Sequence, residues 1–199
     1  MLREFARLHG VEVKRRFAIP RRHHQVPERA VLIDALENLR QPWKGGALAE
    51  PARRAMAEHA TTVFEMLAGF DALAAPLNRS TRPLVLTHGE PHPGNLLRTS
   101  GGLRLVDWDT VAFAEPERDV WMLDLAPGAL DAYEDATGHA VDGDLVEAYR
   151  LRWTLSDIAW LTRTFRDDDP VPEWAESNWA SYVGLLAGGM AEPYVRQRA

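Results

Sequence analysis

Residues 84–121 read LVLTHGEPHPGNLLRTSGGLRLVDWDTVAFAEPERDVW and hold most of the side chains able to orient a substrate or bind a cation. His88, Glu90, His92 and Asn95 share one loop, and Asp107 and Asp109 follow a short apolar ribbon. This carboxylate-and-amide set suits phosphoryl transfer. That reaction asks the protein for a carboxylate beside the attacking hydroxyl and for oxygen ligands to Mg²⁺. Mg²⁺ is a hard ion, held by one or two protein oxygens together with phosphate and water. Asn95 and Asp107 offer such oxygens from adjacent segments, and Glu90 lies where it can face an acceptor.

These side chains need a frame. Leu84-Val85-Leu86 is expected to form a strand that stops at Thr87-His88-Gly89. Residues 90–95 cannot be regular structure, because Pro91 and Pro93 fix φ and lack a backbone N–H. Leu96-Leu97-Arg98 and Leu103-Arg104-Leu105-Val106 read as a hairpin turned at Ser100-Gly101-Gly102. Asp107-Trp108-Asp109 then sits at the end of its second strand.

The order H-G-E-P-H-P-G-N, hairpin, V-D-W-D, P-E-R-D resembles the aminoglycoside phosphotransferase and choline kinase family of small-molecule kinases. The resemblance implies a protein-kinase-like fold and a nucleotide, ATP or GTP, as phosphoryl donor with Mg²⁺. It implies that Glu90 is the catalytic carboxylate and that Asn95 and Asp107 bind the metal. It implies that His88 and His92 shape the loop near the phosphates, and that Asp119, preceded by Arg118, is a buried acid bracing the loop. The family loop usually reads H-G-D-x-H-x-x-N. Glu90 therefore replaces an aspartate and carries its carboxylate one methylene farther out, and errors of about 1 Å can cost roughly a hundredfold in rate. Asp109, on the same side as Asp107 if the strand continues, is either a second metal ligand or a brace for the loop, and the brace is preferred.

The rest of the chain reads as helices. Residues 1–9 form a short amphipathic helix ended by Gly10, 27–40 a second, and 50–75 a long third. Short helices are expected at 117–125 and 131–136, a longer one at 142–165, and a last one at 173–186. The fold class is thus α+β, mostly helical, and the resemblance makes it the C-terminal lobe of a kinase, its small β-hairpin carrying the catalytic loop and the metal-binding Asp. Residues 1–199 are read as a single lobe. Within it, 1–82 are helical linker and helices, 83–125 the catalytic loop, hairpin and metal site, and 126–199 a helical substrate-side subdomain. No glycine-rich phosphate loop occurs, and Val11-Glu12-Val13-Lys14 lacks the context of a kinase lysine strand. The N-terminal nucleotide lobe is expected to be absent, and the activity of this chain alone weak or nil.

Composition narrows the class. At 199 residues, with 46% hydrophobic and 26% charged residues, the chain is sized for one globular domain. A net charge of −6 argues against nucleic acid and suits a cationic small substrate. The absence of cysteine excludes disulfides and thiolate metal sites. No apolar run reads as a membrane span and the N-terminus lacks a signal-peptide core, so a cytoplasmic location is expected.

Other readings compete. Lys14-Arg15-Arg16 and Arg21-Arg22-His23-His24 look like a solvated basic connection. Asp167-Asp168-Asp169 with Glu173 and Glu176 is a solvated helix start or, as in aminoglycoside-modifying relatives, an acceptor site lined by Trp174 or Trp179. The favoured function is transfer of a nucleotide γ-phosphoryl to a small-molecule hydroxyl. One alternative is a non-catalytic kinase-lobe binding protein, self-associating through an exposed apolar face. Another is a metal-dependent phosphoesterase built from His88, His92, Asp107 and Asp109. A zinc-protease helix is ruled out, because Gly89, Pro91 and Pro93 break it.

Overall fold

The structure is a computed structural model that describes residues 1–13, 19–21, 24–79, 82–166 and 178–189. The chain divides into two compact units, one of Met1–His24 with Leu73–Arg150, the other of Gln25–Ala72 with Leu151–Ala199.

The first unit carries the strands. Helix α1 (Leu2–His9) turns Leu2, Phe5 and His9 to one side, and it ends at Gly10, whose N–H donates to the Ala6 carbonyl. It packs on strand β1 (Val85–Thr87), which pairs antiparallel with β4 (Ala112–Ala114), Val85 opposite Ala114 and Thr87 opposite Ala112. Strands β2 (Leu96–Thr99) and β3 (Gly102–Leu105) form the expected hairpin, with Leu96 opposite Leu105. Its turn needs Gly102, at φ 103°, a backbone region that side chains with a Cβ rarely adopt. Helix α5 (Glu117–Val120) runs into a 3₁₀ turn (Trp121–Leu125), followed by α6 (Ala129–Thr137) and the start of α7 (Gly143–Arg166). Phe5, Val120, Leu123 and Tyr133 form a buried cluster that welds α1, α5 and α6 together, with Leu105 packed against it. Each such side chain contributes on the order of 1.5–3 kcal/mol on burial.

The second unit is helical among the described residues. It holds α2 (Arg29–Glu37), α3 (Ala49–Glu58), most of α4 (Ala60–Ala74), the remainder of α7, and α8 (Trp179–Leu186). Phe165 and Tyr182 pack edge to face, ring centroids 5.0 Å apart. Arg166 lies over the Trp43 ring at 5.3 Å and pairs with Asp34 at 2.7 Å.

Several sequence expectations need correction. The long helix at 50–75 is two helices broken at His59 (φ −107°, ψ 12°), where no glycine or proline marks the break. Strand β1 lies one residue later than expected, and β4 was not foreseen. Three residues reading Ala-Phe-Ala carry no strand signal of their own; β4 exists through its pairing with β1. The expectation that no apolar run reaches membrane-spanning length needs one qualification: by length and composition alone Ala60–Leu77 is long and apolar enough, with mean hydropathy 1.2 over 18 residues. Its buried Val63, Met66, Leu67, Phe70 and Ala74 recur at helical spacing, the stripe of a helix packed on one side. His24, expected on an exposed connection, is largely covered and lies 3.0 Å from Glu115 Oε2. Lys14, Arg15, Arg16, Arg22 and His23, residues 173–177 of the last expected helix, the acids Asp167, Asp168, Asp169, Glu173 and Glu176, and Trp174 lie outside the described residues.

Candidate active site

The site begins where β1 runs out. Thr87, at its end, is fully buried, its Oγ1 donating to the Ala112 carbonyl and accepting from Arg118 Nη1. Beyond it the chain must turn sharply, and one side chain determines how. The Asp119 carboxylate, with no exposed surface, accepts from the His88 N–H on Oδ2 and the Gly89 N–H on Oδ1, both at 2.7 Å. His9 Nε2 completes its surroundings at 3.2 Å from Oδ2. Two successive backbone amides aimed at one carboxylate fix the loop's start as a helix cap would. Gly89 adopts φ 95°, and a Cβ there would stand 1.8 Å from Arg118 Nη2, so only glycine fits.

His88 fastens the loop to the hairpin. Its Nε2 donates to the Val106 carbonyl at 2.8 Å, and its Nδ1 accepts from the Glu90 N–H at 3.3 Å. The neutral Nε2–H tautomer satisfies both contacts. The edge of Trp108 covers the ring at 4.8 Å, and Thr110 Oγ1 donates to the His88 carbonyl. With both nitrogens used inside the fold, His88 is not an open ligand for a metal.

The loop's far end is tied to the same strand. Asn95 is 7% exposed, its Nδ2 donates to the Glu90 carbonyl at 2.9 Å, and its own carbonyl accepts from the Val106 N–H at 3.0 Å. This orientation leaves Asn95 Oδ1 as the open end of the amide. One residue past Val106, Asp107 is exposed and holds φ 65°. A left-handed backbone costs a residue with a Cβ roughly 1–2 kcal/mol, and aspartate tolerates it better than most. Asp109 is also exposed.

The electrostatics of the outer face follow from this crowding. The Glu90 carboxyl is pushed above the usual carboxylate range, first by burial, then by the negative charges of Asp109 and Asp107, with Arg118 and His88 opposing. His92 is held below the ordinary imidazole value by burial and by His88, against the pull of Asp107, and its Nδ1 accepts from the Gly94 N–H at 3.1 Å.

Glu90, Asn95 and Asp107 are thus connected by short steps, from the Glu90 carbonyl to Asn95, from Asn95 to Val106, and along the chain to Asp107. Among the described residues no three His, Asp or Glu side chains gather at metal-ligand spacing. An open amide oxygen and one exposed carboxylate fit Mg²⁺, which takes few protein ligands and fills its shell with water and phosphate. Arg118 and Asp119 are not a surface ion pair: both are buried and hold separate parts of the loop.

Sequence reasoning missed His9, Tyr133, Thr87 and Thr110. His9 had a visible signal, since it follows Leu2 and Phe5 at helical spacing and so falls on the buried stripe of α1. Tyr133 had none, because 124 residues separate it from His9.

Solved structures share the fold of this chain. Over the spectinomycin phosphotransferase APH(9)-Ia in complex with ADP and spectinomycin, the structure superposes with a TM-score of 0.74 at 14% identity, covering 98% of this chain and 63% of that one. The AMP-bound complex of the same enzyme gives 0.71 at 14% identity, with 94% and 66% covered. A choline/ethanolamine kinase family protein from Mesorhizobium loti gives 0.54 at 18% identity, with 98% and 63% covered. These likenesses establish the kinase-like fold. Protein StrN of Streptomyces griseus is 34% identical over 87 residues, 44% of this chain and 24% of that protein. The chain therefore spans about a quarter of that relative and under two thirds of the solved neighbours. Residues 1–161, which contain every side chain of the site described above, match the phosphotransferase enzyme family (APH), and the chain belongs to that family.

Proposed function

We propose that this chain supplies the phosphoryl-transfer site of a small-molecule kinase, moving the γ-phosphoryl of ATP or GTP to a substrate hydroxyl. The observation that carries the reading is the double tie of the 88–95 loop to the end of β3, through His88 Nε2 to the Val106 carbonyl and Val106 N–H to the Asn95 carbonyl. These ties put the Glu90 loop beside Asp107. Family membership and neighbours whose complexes contain ADP or AMP support nucleotide use.

Glu90 orients the acceptor hydroxyl and takes its proton as the new P–O bond forms. Its pKa, raised by burial and by the charges of Asp109 and Asp107, makes it a stronger base than an ordinary carboxylate. Its extra methylene relative to aspartate moves the acceptor outward. Asn95 Oδ1 and the Asp107 carboxylate would hold Mg²⁺, and Asp109, exposed near them, adds negative charge that raises the Glu90 pKa. The ion, when bound, neutralises charge on the transferred group. Asp119 and His88 fix the loop, and His92 lines it near the phosphates. The acceptor is a small hydroxyl compound, and the acidic balance of the chain favours a cationic one. Nucleic acid and membrane play no part in this reading, and the compartment is the cytoplasm.

Transfer of labelled γ-phosphate from ATP to a panel of amino sugars and amino alcohols tests it. The expected result is slow Mg²⁺-dependent product, above the rate without protein, that Asp107→Ala abolishes. Product formation indifferent to that substitution, or no product with any acceptor, overturns it.

One observation favours a second reading. Leu97 on β2 and Val106 and Trp108 just past the end of β3 are exposed apolar side chains, Leu97 at 54%. That face suits docking of a partner or a second copy. A monomer in sedimentation at all concentrations would remove the self-association form of this reading.

A further inference from the structure

Inside the first unit, behind the loop, two buried polar side chains that the phosphoryl-transfer reading does not use, His9 and Tyr133, lead to Asp119. His9, at the last turn of α1, has a side chain with no exposed surface. Its Nδ1 is 2.6 Å from the Tyr133 hydroxyl on α6, and its Nε2 is 3.2 Å from Asp119 Oδ2. Phe5 stacks on one face of the ring, interplanar angle 7°, and Tyr133 meets it edge-on at 80°. The ring is therefore held in place by packing, and its two nitrogens point at fixed partners.

We infer that His9, oriented by the Tyr133 hydroxyl, is a positioning residue that sets the rotation of the Asp119 carboxylate and through it the backbone of His88-Gly89-Glu90. With a neutral imidazole the hydrogen bonds run in one direction. A carboxylate only accepts, so Nε2 must carry a proton and donate to Asp119. In the neutral ring Nδ1 is then an acceptor, and the Tyr133 O–H donates to it. Burial pushes the Tyr133 hydroxyl well above its ordinary pKa, so that proton is permanently present. Asp119 Oδ2 is shared between His9 and the His88 amide, and Oδ1 serves Gly89. Turning the carboxylate to follow a displaced imidazole would misalign both amide bonds together. Low dielectric around these groups makes each bond directional and each vacancy costly.

The positional claim stands on the contacts alone; its consequence for turnover rests on the phosphotransferase reading. Three variants separate the two: Tyr133→Phe, which keeps the ring and removes one hydroxyl; His9→Leu, which keeps bulk; and His9→Gln, whose amide can still donate toward Asp119. In the Tyr133→Phe protein, amide hydrogen exchange at His88 and Gly89 should quicken at least tenfold, while the buried α7 residues Leu155 and Ile158 exchange as before. His9→Leu should have the larger effect and His9→Gln the smaller. For the phosphoryl-transfer assay, kcat should drop about tenfold with the nucleotide KM unchanged, within what sub-ångström misplacement costs. Unchanged exchange at His88 and Gly89, or equal acceleration at all four amides, overturns the inference. Faster local exchange with wild-type kcat overturns its catalytic half. Should the wild-type chain transfer no phosphoryl group, the functional reading fails and the exchange data still decide the positional one.

Discussion

Asp119 and Asp107 are both carboxylates next to the same loop, and they are held in opposite ways. Asp119 has no exposed surface and accepts from two backbone amides and an imidazole. Asp107 is exposed, strained at φ 65°, and repels Glu90. The first side is finished, with each carboxylate oxygen assigned to an internal donor. The second is unfinished, with oxygen atoms left over and negative charge that Arg118 only partly offsets. On the function proposed above, the side with satisfied hydrogen bonds supports the loop and the side with crowded like charges is the one offered to a ligand.

Substitutions should separate the two sides by what they damage. Asp119→Ala is expected to do most harm to stability, because it leaves the buried amides of His88 and Gly89 without an acceptor, at roughly 1–3 kcal/mol per donor. Urea unfolding should show it as a lower midpoint with an unchanged slope. Gly89→Ala should follow, losing about 1–2 kcal/mol for the left-handed backbone and further by driving Arg118 off Thr87 and the Thr110 carbonyl. A drop for Gly89→Ala under 0.5 kcal/mol, the size of ordinary surface changes, would mean the loop is not clamped as described.

The outer side should behave in reverse. Asp107→Asn keeps a residue type that tolerates positive φ, so its stability should stay within about 0.5 kcal/mol of wild type. Phosphoryl transfer should nonetheless fall by a hundredfold or more. Glu90 gives the smallest and most diagnostic stability effect. Its pKa is raised in the folded state, so the folded state binds its proton more tightly than the unfolded chain does. Any stabilisation from it is therefore present at pH below the ordinary 4.5 and lost as pH rises through the folded value. Glu90→Gln should match wild type in stability at low pH and equal or exceed it at pH 7. An NMR titration of the Glu90 carboxyl should show its pKa fall in Asp109→Asn and, by less, in Asp107→Asn, with the part due to burial remaining. A variant less stable than wild type at pH 7 would mean the charge is compensated by groups not considered.

The sequence made the outer side legible and the inner side only half so. The hairpin could be read because Leu96-Leu97-Arg98 and Leu103-Arg104-Leu105 flank a glycine turn, a local signal. The loop could be read because Pro91 and Pro93 exclude helix and strand. The clamp depends on distant partners. Residues 87 and 112 meet through a strand too short to announce itself, and 9 meets 133 across two helices. The break at His59 was hidden for another reason: apolar spacing continues through it, and the chain there has no residue that stops a helix.

The account stands most directly on Glu90, Asn95 and Asp107 sharing one binding side, and Mn²⁺ with ATP can report that. In isotope-labelled protein, the paramagnetic ion should broaden the side-chain amide of Asn95 and the Glu90 and Asp107 resonances ahead of those of Tyr133 and His9. The broadening should disappear in Asp107→Asn. Broadening centred on any other set of residues, or unaltered by that substitution, would contradict the site.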